Sequence, residues 1–458
     1  MKARFSLAIL LFSSVAAGSS DRIMTDPLSP ASGEVIEVTV SGIWRDACVP
    51  QPPRVERDGN RINLVSAIPA SVCLTVITPW TRTVEIGALE AGVWTLRMIA
   101  EEHDGDRSVI AQRSLVVRPA AGPFVVQPAT AAKEGGTTVR ITGQSIAPCS
   151  SIPCAAPTVR FGGVPALRVS ILDANRIDAV APPHAAGLVD VEVVPPGGSV
   201  IAFPKGFFYY DPAADPDPSV FERVLLPVMF EGPGAVGSLW TTEATIYNDA
   251  TFGIEVVNVL PGSCPPADGG CPPEIPADAT LRFQPADLGQ WHQGYLLAVP
   301  REIAPELRYG LHIRDLTRQA EAFGTEIDVV RDWKTRSGRV VLVDIPTDGR
   351  FRRTLRVYDL LAEDGLQADL RVIRERDSRV LLQMRITLRT FGRCVTEPCW
   401  IPEPAAFVMP LDGPFPSDTR HDDRIRVEIT PVVPLVPLWA FVSVTNNSSQ
   451  HVTTSSPQ

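Results

Sequence analysis

Proline is spread along the whole chain, whose 458 residues include 44 prolines and 33 glycines. Because proline fixes φ and removes a backbone donor, it breaks helices but is tolerated at strand edges and in turns. Between the prolines lie short apolar stretches, and none combines a sustained 3.6-residue period with helix caps. The sequence therefore predicts an all-β fold, built from tandem immunoglobulin-like and other β-sandwich modules.

Residues 1–20 have the pattern of a secretory signal peptide. A lysine and an arginine precede an apolar core at residues 5–15, and small residues follow it. This core is shorter than a membrane-spanning helix requires. The later apolar residues 432–444 are interrupted by two prolines, which favours strands over an anchor. We therefore predict a secreted, periplasmic or cell-surface protein without a membrane span after cleavage.

The eight cysteines fall into sequence-local pairs: Cys48 with Cys73, Cys149 with Cys154, Cys264 with Cys271, and Cys394 with Cys399. Exported proteins oxidise such pairs, and local pairing is the simplest connectivity. A zinc site is the alternative, but it needs four ligands brought together, typically with C-x2-C spacings that this chain lacks. We therefore predict local disulfides at all eight positions.

Residues 21–118 have the pattern of a first sandwich, here called module 1. Ile36, Val38 and Val40 alternate with polar residues, which is the period of a half-buried strand. Similar stretches predict further strands at residues 61–66, 74–77, 83–86, 92–99 and 108–117. Turn residues separate them at the spacing typical of a sandwich.

Residues 120–211, here called module 2, contain a series of motifs. They are Pro128, GGTTVRITG at 135–143, VRFGG at 159–163, AVAPP at 179–183, GLVDVEV at 187–193 and FFYY at 207–210. In order and spacing, the series resembles the IPT/TIG family of immunoglobulin-like domains, named for plexins and transcription factors. The resemblance implies an immunoglobulin-like fold that acts as a spacer or an interaction module.

The residues of module 2 support that fold independently of the family. Val139 and Ile141 face one way along a strand, and Gly162-Gly163 can supply the positive φ of a tight hairpin. DNA-binding members of the family use basic loops, and Arg160 and Arg168 alone do not form such a patch. The net charge of −10 also repels phosphate backbones. We therefore predict no nucleic-acid partner.

Residues 212–218 alternate proline with aspartate or alanine, a composition typical of a stiff, extended linker. Calcium binding by Asp211, Asp215 and Asp217 is an alternative, because calcium takes carboxylate oxygens. No EF-hand or other known calcium spacing accompanies these residues, so we favour the linker.

The remainder of the chain has the pattern of an internal duplication, with copy 1 at residues 219–336 and copy 2 at 337–458. Residues 242–248 are similar to 353–359, and residues 307–315 are similar to 438–446. A repeat of this length is typical of one β-sandwich per copy.

The search for catalytic chemistry finds charged clusters but no catalytic motif. No histidine pair has metal-ligand spacing, and no nucleophile elbow or phosphate loop occurs. One cluster is favoured as a solvated loop over a metal or acid/base site. It runs from Asp412 to Asp423 and includes Asp418, Arg420, His421 and Asp422. The other is favoured as a salt-bridged hinge over a glycosidase carboxylate pair, and comprises Glu326, Asp328, Arg331, Asp332 and Arg336.

Three tryptophans also allow two interpretations. Trp240, Trp291 and Trp400 could stack on sugar rings, but large aromatic residues near loops more often close the ends of a sandwich.

These features predict an exported, non-catalytic binding, adhesion or envelope scaffold protein that acts through sandwich loops and edges. No cofactor and no metal are expected, and the partner would be an extracellular protein or polysaccharide. Cysteine-closed loops at the sandwich ends are the candidate contact surfaces. The alternatives are a polysaccharide-active enzyme with accessory modules, and a purely structural spacer.

Peptide mapping of the mature protein under non-reducing conditions tests the cysteine prediction. We expect four cross-linked peptides, each joining the two members of one local pair, because short loops close most readily in an oxidising compartment. Free thiols at these positions, or links between different pairs, would contradict it.

Overall fold

The computed structural model describes residues 21–69, 72–148, 155–211, 217–258, 274–285, 293–318, 323–361, 365–390, 404–412, 415–416, 418–434 and 436–457. They form an all-β molecule, which confirms the predicted fold class. Its short 3-10 turns include Ala235–Gly237, Ala304–Glu306 and Asp332–Lys334. Within the described parts of the chain, no helix has the length and apolar character needed to cross a bilayer. The predicted signal peptide lies outside these residues.

Module 1 contains strands β1 (Arg22–Asp26), β2 (Val35–Trp44), β3 (Arg54–Asp58), β4 (Arg61–Ala67), β5 (Thr78–Ala88), β6 (Gly92–Glu101) and β7 (Arg107–Val117). One sheet has the order β1-β2-β5 and the other β3-β4-β6-β7. As the alternation predicts, Ile36, Val38 and Val40 are buried, and they pack against Leu64 and Leu96 of the facing sheet.

The strand predicted at residues 74–77 is wrong, because these residues form an irregular loop. Their apolar alternation lacks a partner, since β5 begins only at Thr78, which pairs with Trp44 at the end of β2. The loop is held instead by the disulfide between Cys48 and Cys73, whose Cα atoms are 5.6 Å apart. This disulfide confirms the first of the predicted cysteine pairs.

The other three predicted cysteine pairs lie outside the described residues. They are Cys149 with Cys154, Cys264 with Cys271, and Cys394 with Cys399. Only the bond between Cys48 and Cys73 is therefore seen among the described residues. The pairing of these six cysteines stays a prediction, which the peptide mapping above tests.

Module 2 contains strands β8 (Val125–Gln127), β9 (Thr130–Ala132), β10 (Thr138–Thr142), β11 (Thr158–Phe161), β12 (Val164–Pro165), β13 (Arg168–Asp173), β14 (Arg176–Val180), β15 (Gly187–Val194) and β16 (Ile201–Tyr210). Its sheets have the orders β13-β14-β10-β8 and β12-β11-β15-β16-β9. Val139 and Ile141 are fully buried between them. Gly162 and Gly163 take φ values of 57° and 80° in the β11–β12 hairpin, as predicted.

Copy 1 contains strands β17 (Phe221–Leu226), β18 (Glu231–Pro233), β19 (Leu239–Asn248), β20 (Ile254–Glu255), β21 (Val257–Asn258), β22 (Glu274–Ile275), β23 (Ala279–Phe283), β24 (Tyr295–Pro300), β25 (Leu307–Asp315), β26 (Thr325–Glu326) and β27 (Val330–Arg331). The two main sheets are β21-β24-β17-β27 and β18-β19-β25-β26, with β23 also paired to β19.

Copy 2 contains strands β28 (Arg336–Ser337), β29 (Val340–Pro346), β30 (Phe351–Asp359), β31 (Gln367–Arg374), β32 (Val380–Thr387), β33 (Ala405–Pro410), β34 (Arg424–Pro431), β35 (Pro437–Asn446) and β36 (Val452–Ser455). Its sheets are β29-β34-β31-β32 and β28-β35-β30-β33, with β36 paired to β35.

The two copies share one strand connectivity. In copy 1 the row β23-β19-β25-β26 faces the row β21-β24-β17, and in copy 2 the row β33-β30-β35-β36 faces the row β31-β34-β29. Taken in chain order, each strand of one set has its counterpart in the other. This correspondence supports the predicted duplication.

Side-chain turns at the ends of equivalent strands extend the correspondence. Asn248 ends β19 and Asp359 ends β30, and each side chain accepts the amide two residues further on, at 2.9 and 3.0 Å. Asp315 ends β25 and Asn446 ends β35, with the same bond at 3.1 and 2.9 Å. Asparagine and aspartate make such turns locally, so these positions keep the geometry although the surrounding residues differ.

The β30–β35 pair of copy 2 is covered on both faces. Residues of both strands point into the core of copy 2: Leu355 and Val357 of β30, and Leu438, Ala440, Val442 and Val444 of β35. Tyr358, Trp439 and Phe441 point the other way and join the core cluster of copy 1. Because both faces of β35 are buried, its sequence is a continuous apolar run.

A buried ion pair joins the first module to the last. Arg22 of β1 donates to Asp359 at the end of β30, with Nη2 and Oδ2 2.5 Å apart. The side chains are only 2% and 0% exposed. The modules therefore pack on one another, so that chain segments 337 residues apart in sequence meet.

A second junction joins module 1, module 2 and copy 1. Glu302 accepts hydrogen bonds from Arg118 of module 1 at 3.1 Å and from the amide of Ala129 in module 2 at 3.1 Å. Beside it, Phe221 and Val116 pack together, with Phe208 against them. The junction thus combines an apolar cluster with a carboxylate shared by two modules.

Replacing Arg22 with methionine should cost about 3–5 kcal/mol in the free energy of unfolding, because it leaves the buried carboxylate of Asp359 unpaired. Urea denaturation followed by tryptophan fluorescence measures the loss. The matched control is Arg385→Met, at a pair with Asp369 whose side chains are 55% and 47% exposed, where we expect less than about 1 kcal/mol. Equal losses in the two variants would contradict the prediction.

Candidate functional site

A cleft of about 270 Å³ lies at the interface of the two copies. We call it the inter-copy cleft. Its copy 1 wall is formed mainly by Val228, Phe230, Gly234, Ala235, Trp240, Gln293, Ile313 and Ile327, and its copy 2 wall by Arg352, Thr354, Arg356, Val408, Phe441, Ser443, Thr445 and Val452. The outward faces of β30 and β35 therefore supply most of one wall.

The copy 2 wall is a ladder of cross-strand pairs. Along β30 and β35, residues directly opposite each other are Arg352 and Thr445, then Thr354 and Ser443, then Arg356 and Phe441. Alternate residues of a strand face the same side, about 6.6 Å apart, so these rows form one continuous surface. The ladder continues into the buried Tyr358–Trp439 row, which is part of the contact between the copies.

Arg356 lies in the middle of this surface without a carboxylate partner among the described residues. Its Nη1 donates to the Ser443 hydroxyl at 3.1 Å, and its guanidinium lies 5.6 Å from the centre of the Phe441 ring. Its Nε is buried and has no hydrogen-bond partner there. Burial lowers the pKa of Arg356, and the nearby Tyr358 opposes this shift.

Arg352 is the second cation of the cleft. Its guanidinium donates to the side-chain oxygens of Asn447 and Gln450, both of them neutral. Burial lowers the pKa of Arg352, and the charges of Asp412 and Asp315 oppose this shift. Asp412 is bound by Arg353 and Asp315 by Arg318, so each carboxylate already has its own cation.

Hydroxyl groups complete the polar part of the surface. Within the described parts of the chain, the side-chain hydroxyls of Thr354 and Thr445 make no hydrogen bond. These two hydroxyls are the donors and acceptors that the cleft leaves available to a ligand. None of the described lining residues is an aspartate, glutamate, histidine, cysteine or lysine.

Trp240 lines the cleft but is only 7% exposed. A Cβ added to Gly234 would lie 2.5 Å from the indole, so this glycine allows the ring to pack against the backbone. Trp240 thus has the role of a packed wall residue, the interpretation favoured from sequence over sugar stacking. Trp291 and Trp400 lie outside the described residues.

The charged cluster around residues 418–423 is a network of arginine–carboxylate pairs. Arg374, only 1% exposed, binds Asp377 at 2.6 Å and Asp418 at 3.0 Å. Asp423 binds Arg376 at 3.2 Å. His421 and Asp422 are exposed. The network ties two loops of copy 2 together, as a structural element would.

The cluster at residues 326–336 is also divided among separate partners. Arg331 donates to Glu222 across the β17–β27 pair, and Asp332 binds Arg301. Glu326 is exposed on β26, while Asp328 accepts a hydrogen bond from Ser456 of copy 2 at 2.9 Å. The side chain of Arg336 is not described.

The carboxylates proposed as calcium ligands have partners in the fold. Asp211 pairs with Lys133 at 2.8 Å, and Asp217 accepts hydrogen bonds from Ser219. Asp215 and most of the predicted linker lie outside the described residues. Among the described residues, the one cluster with metal-ligand proximity is Asp46 with Cys48 and Cys73, whose sulfurs are joined in the disulfide.

The cysteine-closed loop of module 1 is a second, apolar surface. Val72 is fully exposed, Leu74 is 77% exposed and Ile77 is 72% exposed. Sequence analysis named this type of loop as a contact surface, and the structure shows it to be exposed. The loop borders an open pocket that Arg45, Thr75 and Glu102 also line, but Arg45 and Glu102 pair with each other there at 2.8 Å. The loops that the sequence predicts to be closed by Cys154, Cys271 and Cys399 lie outside the described residues.

Sequence analysis missed the inter-copy cleft and its residues Arg352, Thr354, Arg356, Ser443 and Thr445. The alternation of polar and apolar residues in β30 shows that one face is polar. What it does not show is that another sandwich covers that face. The neighbouring strand β35 could have indicated this, because it is apolar on both faces and such a strand is buried on both sides.

Fold and site together define an all-β protein of tandem sandwiches with a polar cleft between its last two modules. Residues 125–210 match the family model of the IPT/TIG domain, so the resemblance seen in the sequence is confirmed for module 2. No curated protein matches the chain.

Among solved structures, the chain is similar to SGBP-B of the Bacteroides ovatus mixed-linkage glucan utilization locus, in complex with a mixed-linkage heptasaccharide. The two are 11% identical over 76% of this chain and 84% of that chain, with a TM-score of 0.18.

The arginine network of copy 2 predicts an acid-sensitive stability. The hydrogen bond from Arg374 lowers the pKa of Asp377 from its usual 3.8 to about 2. A lowered carboxyl pKa stabilises the fold at pH values above 3.8, and this contribution is lost as the pH falls towards about 2. Asp377→Asn should therefore flatten the fall of Tm across that range, as measured by circular dichroism. Identical acid profiles for the variant and the native chain would contradict the prediction.

Proposed function

We propose that this chain is an exported, non-catalytic binding protein whose ligand site is the inter-copy cleft. The observation that carries the proposal is the convergence of unpartnered polar groups, from Arg356 and Thr354 of β30 and Thr445 of β35, on one cleft. A few polar groups that converge on a cleft with apolar walls are what fixes the orientation of a small ligand. The Cys48–Cys73 disulfide supports export to an oxidising compartment.

The size and chemistry of the cleft favour a carbohydrate over a protein partner. A stable protein interface spreads over about 800 Å² of surface on each side. The cleft is instead a confined space of about 270 Å³, close to the size of a small-molecule site. A pyranose ring presents an apolar face and several hydroxyls. Phe230 and Val408 offer apolar contact, while the threonine hydroxyls and the guanidiniums offer hydrogen bonds. We therefore propose an extracellular polysaccharide, bound through one sugar residue.

The cleft lining also favours binding over hydrolysis. Glycoside hydrolysis generally needs two carboxyl groups on either side of the bond. Among the described residues that line the cleft there is no carboxylate. The enzymatic alternative from sequence would instead place its acids at Glu326 or Asp422, both exposed on the surface.

A glycan array probed with the whole mature chain tests the proposal. We expect binding to a polysaccharide that is lost in Ser443→Trp, because the indole would occupy the cleft. Ser170→Trp, on the exposed face of β13, is the matched control and should bind like the native chain. Both variants are checked for native Tm, so that lost binding is not mistaken for unfolding.

Two outcomes would contradict the proposal. The first is glycan binding that survives Ser443→Trp in a folded protein, which would place the site elsewhere. The second is the release of new reducing ends from a bound glycan, abolished by Glu326→Gln or Asp422→Asn, which would make the chain an enzyme.

A further inference from the structure

Arg352 and Arg356 give the inter-copy cleft an excess of positive charge, although the whole chain has a net charge of −10. Both guanidiniums sit on one face of β30, on either side of Thr354. Among the described residues, their hydrogen-bond partners are a hydroxyl and two amide oxygens, all of them neutral. Many other arginines among the described residues pair with a carboxylate instead.

The contrast with neighbouring arginines is informative. Arg353, next in sequence but on the opposite face of the strand, binds Asp412 at 2.9 Å. Arg374 binds two carboxylates of its own copy. Arg22, Arg353 and Arg374 thus pair with acids, whereas Arg113 and Arg356 keep buried guanidinium nitrogens without a hydrogen-bond partner among the described residues. At the cleft the described residues provide no such acid, and the Nε of Arg356 is left without an acceptor.

We infer that the cleft recognises a sugar residue that carries a carboxylate, so that the ligand is an acidic polysaccharide of the uronate type. This inference rests on the proposed function and specifies the ligand of the same site. The missing acceptor is an anion, and a planar carboxylate matches the guanidinium fork in a bidentate manner. The carboxylate would lie above the Thr354–Ser443 row, between the two cations.

The geometry of the ladder supports one acidic group and not a row of them. Arg352 and Arg356 are each one pleat away from Thr354, about 6.6 Å along the strand. Arg356 already binds Ser443 of that row at 3.1 Å, whereas Arg352 is held by Asn447 and Gln450. Arg356 would therefore contact the carboxylate, and Arg352 would add positive charge beside it. The free hydroxyls of Thr354 and Thr445 would then bind ring hydroxyls, and the cleft volume of about 270 Å³ accommodates one residue of a longer chain.

Isothermal titration calorimetry with matched ligands tests the inference on the native protein. The probes are trisaccharides of galacturonate, mannuronate and guluronate, each compared with its fully methyl-esterified form. Esterification removes the charge and leaves the ring unchanged. We expect at least one acid to bind about tenfold or more tightly than its ester, with an affinity that falls as salt is added.

Variants then assign the charge to the cleft. Arg356→Gln should weaken binding of that acid about tenfold and leave binding of the ester nearly unchanged. Arg385→Gln, at the exposed pair with Asp369, is the control with the same loss of charge, and it should bind normally. If Arg356→Gln does not fold, the comparison of acid and ester on the native chain still decides.

The failures of the inference and of the proposed function are distinguishable. If acid and ester bind equally, or if only neutral glycans bind and Ser443→Trp abolishes that binding, the charge inference is overturned while the proposed function stands. If no glycan, acidic or neutral, binds the native chain, both are overturned. If an acid binds but Arg356→Gln has no effect, the anion lies outside this cleft and the inference is also overturned.

Discussion

The β30–β35 pair must be buried on both of its faces, and the arrangement of the last two modules follows from this constraint. Leu355 and Val357 fill the core of copy 2, while Tyr358, Trp439 and Phe441 would be exposed in an isolated sandwich. Three adjacent aromatic side chains form a larger apolar patch than a soluble monomer usually leaves exposed. Copy 1 covers that patch, and the contact fixes the walls of the cleft beside it.

The cleft is the part of this contact where the side chains change from aromatic to polar. Along β30 the outward positions run from Tyr358 through Arg356 and Thr354 to Arg352, so one strand contributes both to the apolar contact and to the binding surface. Ligand specificity and module packing are therefore linked through the backbone of a single strand. A rigid strand of this kind positions side chains more precisely than a loop does.

The duplication shows how equivalent positions acquired different roles. Asn248 and Asp359 make the same turn after equivalent strands. The amide of Asn248 donates to the carbonyls of its own copy, whereas the charge of Asp359 attracts Arg22 from module 1. The difference between an amide and a carboxylate thus decides whether the turn stays local or also binds a distant module.

Much of the fold was predictable from sequence, and most of the site was not. The burial of Val139 and Ile141 follows from period-two alternation, and Gly162-Gly163 marks the β11–β12 hairpin. Residues 74–77 show the limit of that rule, because alternation describes a strand only where another strand is available. The role of Arg356 was equally impossible to predict, because it depends on contact with copy 1, which lies in a different part of the sequence.

The Arg22–Asp359 pair also constrains the order in which the molecule assembles. Arg22 is synthesised 337 residues before its partner, so β1 can dock on the last module only after nearly the whole chain has left the ribosome. Until then the first strand lacks the carboxylate that its guanidinium binds in the finished fold. The contact of β1 with the last module therefore forms only when the C-terminal sandwich is complete. A truncated chain would leave β1 without this partner.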